Sequence, residues 1–150
     1  MYKASDIAKY VVQMCCEKDK PISNLQLQKI LYYVQGYFFK KFKECAFDEK
    51  IYNWTYGPVV PDVYFEYNIY GGQKINDVLD DESPVSLMYA SKEHRRCIEN
   101  VVTECLKYSA GALVSKTHSE DPWHDSIPRS EISSQSVKDY FEKNDPLNLS

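Results

Sequence analysis

Ser23-Asn24-Leu25-Gln26-Leu27-Gln28-Lys29-Ile30-Leu31-Tyr32-Tyr33-Val34-Gln35-Gly36 is the stretch that decides the fold. Ser23 and Gln26 have the spacing of a capping box. The Ser hydroxyl can accept from the backbone N–H three residues on, and the Gln side chain can reach back to the N–H of the Ser. Ile22 and Leu27 stand at the staple positions on either side, so the angle at which the chain enters the helix is set locally. Leu27, Ile30, Leu31, Val34, Phe38 and Phe42 then recur at helical spacing. That pattern predicts one apolar stripe facing a core and a helix running to about Lys43. No catalytic group lies on the stripe.

The pattern continues outward on both sides. Upstream, Ile7, Ala8, Val11, Val12 and Cys15 predict a first helix, capped by Ser5 or its neighbours, with Asp6 in its first turn. Lys18-Asp19-Lys20-Pro21 ends it. Downstream, β-branched and aromatic residues over Ile51–Tyr56 predict a short extended piece, one strand of a small hairpin, in a β element around residues 45–57. Gly57-Pro58 closes it, and Pro61 suits the first turn of a third helix carrying Val63, Tyr64, Tyr67 and Ile69. Gly71-Gly72 stops that helix. Residues 73–90 read as a solvated loop, acidic at Asp77, Asp80, Asp81 and Glu82 and broken at Pro84. Ser91 caps a fourth helix with Cys97, Ile98, Val101, Val102, Cys105 and Leu106 on one face. Ser109 caps a shorter one with Ala110, Leu113 and Val114. A last helix around Gln135–Lys143 offers Val137, Tyr140 and Phe141, and residues 144–150 are expected to form a loose tail. The expectation is a mainly α, compact single domain over 1–150, with about six helices.

Bulk properties narrow the function classes. A chain of 150 residues suits one domain with a real core. The 13 Tyr, six Phe and two Trp supply apolar area with polar tips, useful in wet cores and at protein interfaces. Residues 1–50 hold nine Lys and six acids, a net +3, whereas residues 51–150 hold nine Lys/Arg and sixteen acids, a net −7. That balance argues against a dedicated nucleic-acid binder. Lys40, Lys41 and Lys43 read as a solvated helix end that complements the helix dipole. The five cysteines, two of them adjacent, match neither a disulfide framework nor zinc spacing and fit a reducing cytoplasm. The first residues lack the apolar region of a signal peptide, and no run is long enough to span a membrane.

His118, Glu120, Asp121, His124 and Asp125 form the one dense polar cluster. Two His with five residues between them do not share a helix face, so no metal or cofactor site is expected. The cluster reads instead as a capping turn in which Thr117 or Asp121 satisfies backbone groups, Trp123 plugs the core and His118 bonds a carbonyl. Phosphate loops and hydrolase elbows are absent, and no catalytic residue is assigned. A metal-dependent enzyme using His118, Glu120 and His124, and a DNA-binding autoregulator, stand as competing readings.

Three blocks in order resemble one family. They are Ser23–Gly36, then Trp54-Thr55-Tyr56-Gly57-Pro58-Val59-Val60-Pro61-Asp62-Val63-Tyr64, then Ser109-Ala110 through Leu113, Thr117-His118 and Pro122-Trp123. Together they are similar to the Panacea domain, the SocA/GepA-like phage-associated family, over about Ser5 to Phe141. Ile30, Val34 and Gln26 depart slightly from its usual residues. The resemblance implies a mainly helical fold and a non-enzymatic antitoxin that neutralises a cognate toxin, encoded by an adjacent gene, by direct binding. The alternative it carries is a proteolytic adaptor delivering a client to a ClpXP-type protease. It also implies a cytoplasmic protein of bacterial, prophage or phage origin. Among motif residues, Leu27, Gln28, Leu31, Gly57, Pro61, Thr117, His118, Pro122 and Trp123 are expected to build the scaffold. Lys29, Tyr32, Tyr33, Trp54, Tyr56, Pro58 and Tyr64 are the candidate partner contacts.

Overall fold

The computed structural model describes residues 1–76, 87 and 89–150. Helix α2 (Asn24–Phe42) is the axle of the fold. Its start is the capping box: Gln26 N–H donates to Ser23 Oγ at 3.3 Å and Ser23 N–H donates to Gln26 Oε1 at 2.9 Å. Ile22 and Leu27, the staple pair, are both buried. The expected single stripe is not what forms, because Asn24 and every residue from Gln26 to Phe39 are buried. Helix α2 is enclosed by α1 (Ala4–Glu17), α4 (Lys92–Cys105), α5 (Ala110–His118), α7 (Ser134–Lys143) and a small sheet.

Polar residues on a helix enclosed on all sides need partners inside the protein. Gln28 Oε1 accepts from Val60 N–H at 2.9 Å, and Gln28 Nε2 donates to Asn24 Oδ1 at 2.9 Å. Gln35 Oε1 accepts from Ala46 N–H at 2.7 Å and its Nε2 donates to Phe47 O at 2.9 Å. These glutamines fasten the segments on either side of the hairpin to α2.

The hairpin is β1 (Ile51–Trp54) and β2 (Gly57–Val59), antiparallel, with Trp54 opposite Gly57 and Tyr52 opposite Val59. A third strand, β3 (Glu131–Ile132), pairs with β1 through Ile51 and Ile132, giving the order β2-β1-β3. At two residues, β3 is too short to leave an alternation in the sequence.

Several expected boundaries move. Ser5 does not cap α1; its hydroxyl donates to Glu66, and the Ala4 N–H is met by Glu49 Oε2 at 2.9 Å, from across the molecule. The third helix is one turn, α3 (Pro61–Tyr64), followed by a 3-10 turn (Asn68–Tyr70) that leaves Ile69 exposed. Ser91, Ser109 and Ser133 each accept from the N–H three residues on, opening α4, α5 and α7. The polar turn after Ser119 contains a further short helix, α6 (Asp121–His124), bringing the total among the described residues to seven α-helices. The acidic centre of the expected loop, 77–86, lies outside the described residues.

The C-terminal residues are tied down rather than loose. Leu147 is buried and its N–H donates to the Tyr37 hydroxyl at 2.8 Å. The Asp145 carboxylate accepts from Tyr37 and from the N–H groups of Leu149 and Ser150. Partial burial raises the Asp145 pKa, but those donors outweigh it and hold the carboxyl down at about 2. No helix among the described residues is long and apolar enough to cross a membrane.

Candidate functional site

All three motif blocks meet in a buried polar layer beneath the hairpin. Lys29, Tyr32 and Tyr33 have no exposed surface, so they do not present the contact surface expected of them. The reason is that α2 has no solvent face at their positions. Lys29 Nζ donates to Pro58 O at 3.4 Å and has no carboxylate partner among the described residues. Burial alone pulls its pKa down to about 7. Gly57 is required above it. Its φ is +115°, and a Cβ there would fall 2.5 Å from Lys29 Cε and 2.9 Å from Thr117 Oγ1.

Glu120 is a second buried charged side chain in this layer. It accepts from the Tyr32 hydroxyl at 3.0 Å and the Tyr33 hydroxyl at 2.8 Å, with Lys116 Nζ at 3.7 Å. Burial raises its pKa, against the opposing pull of the two phenols and Lys116. Burial first, and then the Glu120 charge, push both phenols upward. The sequence placed Glu120 in a polar surface turn; its tyrosine partners, 87 and 88 residues away, gave no local signal.

The cluster at 118–125 does not assemble as a metal site. His118 stacks on Trp123 with ring centroids 3.8 Å apart, while His124 is exposed and paired with Asp125 at 2.8 Å. The His118 Nε2 is buried without a hydrogen-bond partner among the described residues, where the sequence predicts that His118 bonds a carbonyl. No group of three or more His, Cys, Asp or Glu among the described residues is placed to hold a metal ion. Trp123 does join the core, and its indole N–H donates to Trp54 O at 2.9 Å. Asn53 Nδ2 donates to Trp123 O at 2.9 Å and to Ser126 Oγ at 2.7 Å. Trp123 therefore ties the hairpin to α6, His118 of α5 stacks on it, Thr117 Oγ1 lies against Gly57, and Pro122 is buried. Leu27 and Leu31 lie in the core, and Pro61 starts α3.

Above this layer lies a groove of about 540 Å³ between the hairpin, the start of α2, α3 and the Gly71-Gly72 turn. Trp54, Tyr56 and Tyr64 line it, whereas Pro58, within β2, is buried. Trp54 packs edge-on against Tyr64 at 4.9 Å, and both contact Phe65. Tyr56 is 65% exposed and Phe65 64%, a concentration of aromatic surface that an isolated fold does not need. Asn24 and Gln28 form the floor, with Asn24 Nδ2 donating to Tyr64 O at 3.1 Å. Phe65 and Arg129 belong to this region without a local signal in the sequence, Arg129 reaching the groove wall from far along the chain. A second cleft, of about 440 Å³, lies along α1 and α4 and carries Lys92, Arg95, Arg96 and Glu99.

A family model described as "Antitoxin SocA-like, Panacea domain" matches residues 27–124, from the first turns of α2 through the hairpin to the end of α6. Antitoxin SocA of Caulobacter vibrioides is 29% identical over 127 residues, covering 80% of this chain and 68% of that protein. No solved structure matches the chain. The matched span takes in α2 from Leu27 onward, Gly57 over Lys29 and the Thr117–Trp123 turn, and on that span the chain belongs to the SocA-like antitoxin family defined by the Panacea domain.

Proposed function

We propose that this protein neutralises a cognate protein toxin, encoded by an adjacent gene, by binding it directly in the cytoplasm of a bacterial host. Family membership carries this reading. The aromatic groove supports it, because Trp and Tyr at a concave site are the residue types that dominate binding energy at protein interfaces. Neutralisation by binding asks for no chemistry from the antitoxin. It needs a surface of roughly 800 Å² that covers the working part of the toxin. The buried Lys29 and Glu120 serve the scaffold beneath that surface.

The test is growth of cells expressing the neighbouring gene, with and without this protein, in hosts that have or lack a ClpXP-type protease. Rescue in both hosts is the expected result. Rescue only where the protease is present would replace direct binding with the adaptor role. Failure to rescue in either host would remove the antitoxin reading from this chain.

A further inference from the structure

The groove wall carries a single formal charge among the described residues. No carboxylate lines it, and the charge is that of Arg129. The Arg129 guanidinium has no hydrogen bond or ion pair among the described residues. Its backbone, by contrast, is fixed. Arg129 N–H donates to Asn53 O at 2.7 Å, and the next residue, Ser130, accepts from Asn53 N–H at 2.9 Å. Its φ is +66°, the left-handed region that a non-glycine residue rarely adopts. Asp19, Lys43 and Asn148 share that conformation, so what it fixes at Arg129 is the direction from which the side chain leaves the chain just before β3.

The rest of the groove is suited to an apolar group. Trp54, Tyr56 and Tyr64 supply ring faces and edges, and the amide groups of Asn24 and Gln28 are already hydrogen-bonded within the protein. At Gly71 and Gly72 a Cβ would meet nothing within 4 Å, which leaves room for another chain to pass close to the backbone. The free edge of β2 is not open to strand addition, because Pro58 O and Val60 N–H are engaged by Lys29 and Gln28. Recognition must therefore come through inserted side chains.

We infer that the groove receives a segment of the toxin bearing an apolar side chain next to a carboxylate, the side chain lying among Trp54, Tyr56 and Tyr64 and the carboxylate paired with Arg129. This rests on the antitoxin reading and specifies where and how that binding occurs. Arginine is suited to the task, since its planar fork meets a carboxylate through two parallel hydrogen bonds.

The chemistry is tested with two probes that share one ring, N-acetyltryptophan and its uncharged amide, titrated into the 15N-labelled protein. The acid is expected to shift the amide resonances of Thr55, Tyr56, Gly71 and Gly72 saturably, at several-fold lower concentration than the amide, and Arg129→Glu is expected to erase that preference. Equal binding of both probes, or no saturable shift in that region, would overturn the inference. With the purified product of the neighbouring gene, Arg129→Glu and Tyr56→Ala are each expected to weaken binding at least tenfold, and Arg129→Lys less. Lys92→Glu, which reverses a cation in the α1–α4 cleft, is expected to leave affinity unchanged. If the unmodified protein binds the toxin and Arg129→Glu binds equally well, the groove assignment fails while the antitoxin reading stands. Loss of binding in Lys92→Glu instead would place the contact in the other cleft. No binding by the unmodified protein would overturn both.

Discussion

At the scale of single residues, Lys29 has the strongest consequence for stability. Its folded pKa is lowered from the ordinary lysine value to about 7, so between pH 7 and about 10.5 the unfolded chain holds a proton that the folded chain has lost. Unfolding then takes up a proton, and raising the pH through that window favours the fold, by up to about 1.4 kcal/mol per pH unit. Lys29→Met removes the buried amine while keeping most of its volume. The variant is expected to be more stable than the parent at pH 6.5, by a few kcal/mol, with the gain shrinking towards pH 9.5. Urea titrations at the two pH values check this, and an equal gain at both would refute it. Glu120 works in the opposite sense. Its folded pKa is raised, so its contribution is fully present below the ordinary glutamate value and is lost as pH rises through the folded one. Tyr33→Phe takes away one of its two phenol donors inside the core and is expected to cost about 1–3 kcal/mol, read as a lower urea midpoint at unchanged slope.

At the scale of elements, glycines set how closely the pieces approach. A Cβ on Gly36 would lie 2.3 Å from the Phe141 ring, the residue through which α7 is seated on α2. Gly36→Ala is expected to destabilise by about 1–3 kcal/mol, and pairing it with Phe141→Leu should recover part of the loss. Thermal melts of the four proteins in that cycle provide the check; fully additive losses would mean that the two residues do not oppose each other. Element starts were legible in the sequence because caps are local. Ser23 with Gln26, Ser91 and Ser109 each find their partner three residues on. The first helix was misread at its cap for the opposite reason: the group that meets Ala4 N–H is Glu49, 45 residues away. The same distance hid β3, the enclosure of α2 and the tyrosine–Glu120 layer. Periodicity identified one buried face of α2, but the burial of Gln28 and Gln35 depends on backbone groups that only the folded chain supplies. Of the residues expected to touch a partner, Trp54, Tyr56 and Tyr64 line the groove because they lie in and just beyond the hairpin; Lys29, Tyr32 and Tyr33 lie beneath it.

At the scale of the whole molecule, an enclosed helix supports a hairpin, and the hairpin carries one wall of an aromatic groove. The C-terminal residues complete the enclosure through Leu147 and the Tyr37–Asp145 pair. Ending the chain after Asn144 is expected to lower the melting temperature by several degrees, as losing the buried Leu147 side chain and unpairing Tyr37 should cost about 1–3 kcal/mol. The groove is on another part of the molecule, so toxin affinity measured well below that melting temperature should be unchanged. The central claim is that neutralisation is binding. Its most direct test is a titration of the purified product of the neighbouring gene with this protein, with no protease present, following toxin activity and complex formation together. The account predicts that activity falls in step with the amount of complex formed and is abolished when the protein saturates the toxin. Full toxin activity in the presence of saturating antitoxin, or the absence of any complex, would contradict it.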